Sequence, residues 1–535
     1  MQQKNILLVY PEFPETYWSF KSALSFVGKK ALMPPLGLAT VAAMLPEHYK
    51  CTLIDMNVEK LNDKDILEAD LVMLSAMTVQ KESMQCVIDR CRQLQKEVAV
   101  GGPYATSSRD EITGADYFVL NEGEITIPRF IEAWEEGTAE QVYSSTEKPD
   151  ITKSPVPRFD LMKLQYYDTL PLQYSRGCPF NCEFCDIVHL FGHKPRTKTP
   201  EQFTAEMDSA LAVGFKGAVF IVDDNFIGNK RKVKELLNAI IQWQEQHGYP
   251  FKFCTETSID LADDDELLDL MAKAQFYMTF VGIETPNDSS LSETGKVQNM
   301  KRSVSESVRK IQERGIEVTG GFIIGFDSDD ESIFDQQIEF IKELAIPTAM
   351  IGLLMALPHT RLYNRLEKEG RILSKSNGNN THQVELNFKT KMPKEVLLQG
   401  YRRVLTEVYR PQTYFDRCLE VIKRYREGRQ KGLLQCSQGF NNGIKWREIT
   451  GFFRSLFRQT FSRHGREYLR FLKRALRIDR KNIVRIVTLA VQGFHFFTIT
   501  QKTAVSLPES ERQPAAFYEK GKYRGMINQV DLKNT

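Results

Sequence analysis

Residues 178–185 read Cys178-Pro-Phe-Asn-Cys182-Glu-Phe-Cys185, and this stretch decides how the rest of the chain is interpreted. Its three thiols follow the spacing Cys-x3-Cys-x2-Cys, so one loop can point three thiolates at one iron–sulfur cluster. A cube-shaped 4Fe–4S cluster has four irons, and three cysteines therefore leave one iron open to a substrate or cofactor. Structural zinc is the alternative. It takes four ligands, and His189 or His193 could supply the fourth.

The loop resembles the signature of the radical S-adenosylmethionine (SAM) superfamily, in which an aromatic residue, here Phe184, precedes the third cysteine. In that superfamily the open iron binds the amino and carboxylate groups of SAM, and an electron from the cluster cleaves the sulfonium to release a deoxyadenosyl radical. The resemblance implies a 4Fe–4S cluster bound by Cys178, Cys182 and Cys185. It also implies SAM as a cofactor and an electron donor such as flavodoxin or ferredoxin.

Size and composition set broad limits on the protein. A chain of 535 residues is long enough for two or three domains, and 42% hydrophobic residues is ordinary for a globular protein. The net charge of +2 gives no global field that would attract nucleic acid, so we expect none as a partner. Scattered remaining cysteines, no signal-peptide pattern and no long uninterrupted apolar run predict a cytoplasmic protein without a transmembrane helix.

Residues 1–150 alternate short apolar runs with helix-patterned segments, which predicts a doubly wound, flavodoxin-like parallel sheet. The predicted strands are residues 5–10, 51–55, 71–75, 97–101 and 117–120. Helices are predicted at 36–45 and 82–94. Ligands of such sheets bind beyond the carboxyl ends of the strands. No GxGxxG or P-loop pattern occurs here, which argues against a dinucleotide or ATP.

This layout, placed directly before the cysteine loop, resembles the cobalamin-binding domain of the cobalamin-dependent radical SAM family. The matching pieces are Pro34-Pro-Leu-Gly-Leu-Ala-Thr40, Gly101-Gly-Pro103 and Asn121-Glu-Gly-Glu124. The resemblance implies cobalamin, and the candidate contacts are Ser75, Thr78, Gly101, Gly102 and Glu122. The chain lacks an Asp-x-His-x-x-Gly motif, so we expect no histidine ligand on the lower face of cobalt. A degenerate domain that binds nothing is the alternative.

Residues 151–370 predict a second parallel domain. Ile151 to Pro171 is expected to be a linker. Beyond it, strand-like runs end in polar residues, and six strand–helix units predict a partial (β/α)6 barrel with its active groups at the strand ends. The resemblance to the radical SAM barrel implies SAM contacts from Phe184, Glu256, Glu284 and Gly325. Helix caps or barrel-rim residues are the alternative, most of all for Asp223 and Asp224. Lys296 could contact a carboxylate, although a surface lysine is the commoner case.

Residues 371–535 predict a mainly helical, basic domain. Residues 374–380 are expected to form a mobile polar break, and residues after about 506 an extended tail. Residues 445–485 combine many arginines with apolar residues at helical spacing, which suits either a membrane surface or a helical cap on the barrel. The apolar stretch 483–499 contains Arg485 and Gln492, and is better interpreted as a buried helix than as a membrane span.

The order of the three domains resembles a group that includes the hopanoid C-2 methylases. This likeness implies a cobalamin-dependent radical SAM methyltransferase (class B) that acts on an unactivated carbon, for example of a lipid such as a hopanoid. A lipid substrate would fit the amphipathic residues 445–485 at a membrane surface, so we expect a cytoplasmic enzyme with peripheral contact at the inner face of the membrane. One alternative is a cobalamin-dependent radical enzyme that catalyses cyclisation or rearrangement without methyl transfer. Another is a non-catalytic iron–sulfur electron-transfer or binding protein.

Overall fold

The computed structural model describes residues 3–300, 302–381, 385–433 and 446–505. The segment after residue 506, expected to be extended, lies outside the described residues. Within them the chain forms an N-terminal parallel sheet, a second parallel sheet and a set of C-terminal helices.

The N-terminal sheet is parallel throughout and has the order β2-β1-β3-β4-β5-β6. Its strands are β1 Asn5–Tyr10, β2 Lys50–Asp55, β3 Leu71–Ser75, β4 Val98–Gly101, β5 Tyr117–Val119 and β6 Val142–Tyr143. The helices between them are α1 Lys21–Val27, α2 Leu36–Met44, α3 Asp63–Leu67, α4 Lys81–Gln93, α5 Gly102–Ser108 and α6 Gly123–Glu135. The order 2-1-3-4-5 confirms the predicted flavodoxin-like class. Strand β6 was not predicted, because two residues carry no periodic signal.

The second sheet is also parallel, in the order β14-β13-β12-β11-β10-β7, which confirms the predicted partial barrel of six strands. Its strands are β7 Thr169–Leu172, β10 Gly217–Ile221, β11 Phe251–Thr257, β12 Phe276–Glu284, β13 Glu317–Ile324 and β14 Ala349–Leu353, and a separate hairpin is formed by β8 Ser175–Arg176 and β9 Arg196–Thr197. Its helices are α7 Ile187–Phe191, α8 Pro200–Ala212, α9 Lys230–His247, α10 Asp265–Lys273, α11 Asp288–Glu293, α12 Val297–Met300, α13 Val304–Glu313, α14 Ile333–Leu344 and α15 Arg361–Lys368. Pro171, expected in the linker, lies in β7. An edge strand tolerates proline because one side makes no ladder hydrogen bonds.

Alternate residues of the barrel strands face opposite sides. Val219, Phe253 and Val281 are buried in the large core under the helices. Several residues at the alternating positions are half-buried, among them Phe220, Glu256, Phe280 and Met350. These four side chains line the inner face of the barrel, and three of them are apolar.

The C-terminal helices are α16 Lys394–Val408, α17 Pro411–Gln430, α18 Trp446–Thr460, α19 Gly465–Ile478 and α20 Ile483–Val505. The helical segment Arg480–Thr503 is long and apolar enough to cross a membrane, but half of its most apolar stretch of 18 residues is buried in the fold. Leu489 and Phe496 are fully buried, and the Tyr414 hydroxyl of α17 donates to the Leu489 carbonyl at 2.7 Å. These contacts support the interpretation of α20 as a core helix.

The segment 374–381 is packed rather than a mobile break, which corrects the prediction. Ser376 and Thr381 are buried, and the Leu353 amide donates to the Asn380 carbonyl at 3.0 Å. A Cβ on Gly378 would lie 2.9 Å from the Cβ of Thr78, so this segment touches the N-terminal domain as well. Its polar side chains form local hydrogen bonds that stabilise turns in this segment.

Candidate active site

The cysteine loop begins at the hairpin of β8 and β9, and its geometry requires a glycine. Gly177 has φ +95°, and a Cβ there would lie 2.8 Å from the Gly192 carbonyl oxygen. The Gly177 amide donates to Asp224 at 3.1 Å, and the Cys178 amide donates to the Gly192 carbonyl at 3.3 Å. The backbone around the first cysteine is therefore fixed on both sides.

The residues that follow β10 hold the start of the loop. Asp223 accepts hydrogen bonds from the amides of Tyr174 and Ser175, both at 2.8 Å. Burial raises the pKa of Asp223 to about 6 and that of Asp224 to about 7. Both carboxyls bind loop backbone, in agreement with the barrel-rim alternative for this pair.

The end of the loop is anchored to the far side of the barrel. The Glu183 amide donates to the Thr294 carbonyl at 2.8 Å, and the Glu183 carboxylate accepts two hydrogen bonds from Arg365, at 2.8 and 3.2 Å. Phe184 packs against Phe326 with ring centroids 6.3 Å apart. The aromatic residue of the motif thus fixes the loop beside the end of β13.

The thiols suit an iron–sulfur cluster. Burial raises the pKa of Cys178 and of Cys185, so a bound metal would have to stabilise their thiolates. Amide N–H groups of Asn225 and Gln298 lie 3.9 Å from the sulfurs of Cys178 and Cys182, respectively, where they would support the charge of sulfur-bound iron.

A mononuclear metal site fits less well. Among the described residues, no group of three or more His, Cys, Asp or Glu side chains converges on one ion, as structural zinc requires. The three cysteine ligands of a 4Fe–4S cluster bind three different irons, so their sulfurs need not converge on one point. His189, a possible zinc ligand, instead stacks on His359 with ring centroids 4.4 Å apart.

A buried ion pair lies next to the thiols. The Lys296 ammonium donates to Glu284 at 2.7 Å, and both side chains are about nine-tenths buried. Burial disfavours the Lys296 charge, but Glu284 and the nearby Cys182 outweigh it and raise the lysine pKa. A Cβ on Gly282 would lie 2.6 Å from the Glu284 carboxylate, so this glycine makes room for the pair. Glu284 itself has φ +68°, a strained backbone that is often found at functional sites.

Glu256 and Gly325, which are also predicted SAM contacts, are held in different ways. Burial, followed by the charges of Asp224 and Asp223, raises the pKa of Glu256 to about 8, which keeps this carboxyl largely protonated at neutral pH. Gly325 has φ +102°, and its amide donates to Asp329 at 2.9 Å. Gly325 therefore has a backbone that only glycine adopts readily, at the carboxyl end of β13.

The predicted cobalamin contacts gather at the carboxyl ends of β3 and β4. A Cβ on Gly102, where φ is +83°, would lie 2.3 Å from the Ser75 hydroxyl, and one on Gly101 would lie 2.7 Å from the Val119 carbonyl. The glycine pair is thus already required by packing inside the domain. His48 precedes β2 at the opposite edge of the sheet, 3.9 Å from Glu135. It therefore lies away from the carboxyl ends of the strands.

Glu122 links the two domains. Its carboxylate accepts hydrogen bonds from Arg176 at 2.8 Å and from Arg196 at 2.8 and 3.0 Å. Arg176 also binds Glu124, at 2.8 and 3.0 Å. We call these four side chains the interdomain latch. It joins residues that follow β5 to the hairpin of β8 and β9, which follows β7, so the carboxyl end of the N-terminal sheet lies against this part of the barrel domain.

Family models match the three parts of the chain. Residues 30–131 match the B12 binding domain, residues 172–341 the radical SAM superfamily, and residues 360–507 a domain of unknown function (DUF4070). An uncharacterized methyltransferase of Synechocystis sp. is 43% identical over 92% of this chain and 91% of its own. The chain belongs to the cobalamin-dependent radical SAM methyltransferase family.

Other comparisons agree with this membership. The hopanoid C-2 methylase of Rhodopseudomonas palustris is 33% identical to the protein described here, over 79% of each of the two chains. The cobalamin-dependent SAM radical enzyme OxsB with aqua-cobalamin bound covers 96% of this chain and 83% of its own, with a TM-score of 0.60 at 15% identity. The match to TsrM from Kitasatospora setae, with cobalamin and a 4Fe–4S cluster bound, covers 76% of this chain and 85% of the TsrM chain, with a TM-score of 0.58 at 17% identity. The cofactors of this enzyme are therefore a 4Fe–4S cluster, SAM and cobalamin.

The sequence did not reveal several residues of the site. Asn225 and Gln298 carry no local signal, because only the fold brings their amides to the cysteine sulfurs. Lys296 looked like a surface lysine, but lies buried beside the thiols. Arg176 and Arg365 are ordinary arginines in the sequence. Their carboxylate partners lie 52 and 182 residues away, respectively.

Proposed function

We propose that this enzyme methylates an unactivated carbon of an apolar substrate, a lipid such as a hopanoid, and that its three domains span residues 1–150, 151–370 and 371–535. When bound, the cluster and SAM supply a hydrogen-abstracting radical, and cobalamin supplies the methyl group. The observation that carries the proposal is the half-buried, largely apolar set of side chains on the inner face of the barrel, where Trp18 contacts Phe280.

The apolar face has a definite composition. Phe220, Phe280 and Met350 lie on it, and Trp18 of the N-terminal domain packs edge-on against Phe280 with ring centroids 5.6 Å apart. Glu256 is opposite Phe280 in the register of β11 and β12, and its raised pKa leaves it neutral at the operating pH. A substrate beside these side chains would meet apolar surface and the neutral carboxyl of Glu256, which favours a lipid over a charged metabolite.

On the barrel side, Cys178, Cys182 and Cys185 would hold the cluster. The Glu284–Lys296 pair beside them offers one charge of each sign, which matches the ammonium and carboxylate of the SAM amino acid. Phe184, Glu256 and Gly325 are proposed as further SAM contacts at the strand ends.

On the facing side, Ser75, Thr78, Gly101 and Gly102 are proposed as cobalamin contacts at the ends of β3 and β4. Glu122 is proposed at the same edge, with its carboxylate already held by Arg176 and Arg196. The chain's own contribution is to keep the two faces together around one substrate, because reaction between held groups avoids much of the entropy cost of encounter. An electron donor of the flavodoxin or ferredoxin type and peripheral contact with the inner face of the membrane complete the proposal.

The test is anaerobic reconstitution with cobalamin and methyl-labelled SAM in the presence of a lipid extract, followed by mass spectrometry. The proposal predicts a labelled lipid product. A modified but unlabelled product would favour cyclisation or rearrangement. No cleavage of SAM by the reduced protein would favour a non-catalytic iron–sulfur role.

A further inference from the structure

The exposed face of helix α18 is unusual for a protein surface. Phe453 and Phe457 of α18 and Phe461, directly after its end, recur every four residues, and their exposed fractions are 62, 72 and 78%. Residues at this spacing share one face of a helix. We call these three residues the aromatic row. A contiguous apolar patch on a surface marks a contact site rather than ordinary exposure.

The opposite face of α18 has the reverse character. Gly451, Ser455 and Gln459 are buried, and the hydroxyl groups of Ser455 and Tyr468 in α19 are 3.4 Å apart. A surface helix of a globular protein normally turns its apolar side inward. Here Gly451, Ser455 and Gln459 face inward, with Leu456 packed against the core beside them, while the three phenylalanines face out. The aromatic row is therefore not needed to hold the helix on the fold.

Positive charge lies next to the row. Arg454 and Arg458 line an open groove of about 500 Å³ between α18 and α1, together with Ser25, Phe26 and two phenylalanines of the row. Arg454 donates to the Phe26 carbonyl at 3.3 Å, and Arg458 donates to the Ser25 hydroxyl at 3.2 Å. Neither arginine pairs with a carboxylate among the residues that the structure describes, so the groove keeps its positive charge.

Helix α19 extends the basic surface. Its exposed residues at helical spacing include Arg466, Arg470, Lys473 and Arg477, with Leu469 45% exposed beside them. In the described part of the chain these four basic residues form no ion pair. Uncompensated cations around exposed aromatic rings complement an anionic surface that also offers apolar depth.

We propose that the aromatic row and the basic groove beside it form a docking surface for an anionic lipid bilayer. The rings enter the boundary between headgroups and acyl chains, while the guanidinium groups bind lipid phosphates. This inference rests on the proposed function, because a lipid substrate would be taken from the bilayer. Vesicle binding needs no turnover, however, so failure of the docking surface and failure of the methyl transfer are measured separately.

The full-length protein is sedimented with vesicles of phosphatidylcholine alone and with vesicles of equimolar phosphatidylcholine and phosphatidylglycerol. We expect binding to the anionic vesicles that weakens as salt rises. The double substitution Phe457→Ser with Phe461→Ser should weaken this binding by at least about tenfold, since two rings lose their apolar contact. Arg466→Gln with Arg470→Gln should weaken it and flatten its salt dependence.

Leu67→Ser is the matched control, because Leu67 is 51% exposed on α3 of the N-terminal domain. It should bind vesicles as the wild type does, and all variants should melt at the wild-type temperature. Equal binding by the wild type and the phenylalanine double variant would overturn the inference. So would failure of the wild type to bind either vesicle. A dimer seen by light scattering and lost in that double variant would make a second copy the occupant, and would overturn it too.

Discussion

Replacing Arg176 with methionine should loosen the contact between the N-terminal domain and the barrel domain. Arg176 is 12% exposed, and its partners Glu122 and Glu124 are 3 and 8% exposed, so the substitution leaves the buried Glu124 carboxylate without its counter-charge and removes one of the two arginines that bind Glu122. Breaking a buried ion pair by removing one partner costs about 3–5 kcal/mol. Arg196 still binds Glu122, which favours a value of about 3 kcal/mol.

This cost is measurable as a shift in melting temperature. For a unit of 150–250 residues, 1 kcal/mol corresponds to about 2–4 °C, so Arg176→Met should lower the melting temperature by about 6–12 °C. Differential scanning calorimetry at neutral pH on the anaerobically purified protein measures the shift. Arg176→Lys keeps the charge but not the two-pronged geometry, so it should fall between the wild type and Arg176→Met.

The matched control is Arg158→Met. Arg158 pairs with Asp160 at 2.7 Å, but the two side chains are 43 and 51% exposed, and an exposed pair contributes at most about 1 kcal/mol. Its melting temperature should therefore fall by at most about 4 °C. An Arg176→Met protein that melts within about 2 °C of the wild type would refute the reasoning, because the interdomain latch would then carry no stability.

Three further substitutions test other parts of the site. Burial raises the pKa of Glu256 in the folded protein to about 8, above an unfolded value of about 4.3, so its contribution to stability is lost as pH rises between these values. The melting temperature of Glu256→Gln should therefore fall less than that of the wild type between pH 5 and a pH above 8. Gly102→Ala should destabilise the N-terminal domain by about 1–3 kcal/mol and reduce the cobalamin retained on gel filtration, because Gly102 has a φ of +83° and its Cβ would clash with Ser75. Gly37→Ala is the control, because its Cβ would meet nothing within 4 Å, and it should change neither stability nor cobalamin retention. Gln298→Leu should lower the reduction potential of the cluster in an EPR redox titration without loss of iron, since an amide donor to Cys182 favours the more negative state; an unchanged potential would remove Gln298 from this role.

The sequence was sufficient for most of the architecture because buried parallel strands are continuous apolar runs that end in polar residues. Five strands of the N-terminal sheet and the order of the barrel units follow from that pattern alone. The strand β7 begins inside the segment expected to be a linker, because Pro171 suggested a linker although an edge strand accepts proline. The packing of residues 374–381 was missed because a polar composition alone does not distinguish a mobile segment from one held between domains.

The site was predictable only where chemistry is local. The spacing of Cys178, Cys182 and Cys185 is such a case, since one loop carries the ligands. The groups that surround the loop come from distant parts of the chain, as with Glu183 and Arg365, which are 182 residues apart. Burial is likewise a property of the fold, so sequence reasoning favoured a surface position for Lys296 although it pairs with Glu284 inside the protein.

The most direct test of the account is metal analysis of anaerobically purified protein combined with EPR of the reduced form before and after addition of SAM. The account predicts iron and sulfide in the proportions of a 4Fe–4S cluster, and a spectrum that changes when SAM binds the iron without a cysteine ligand. Stoichiometric zinc held by Cys178, Cys182 and Cys185, or an iron signal that SAM leaves unchanged, would contradict it.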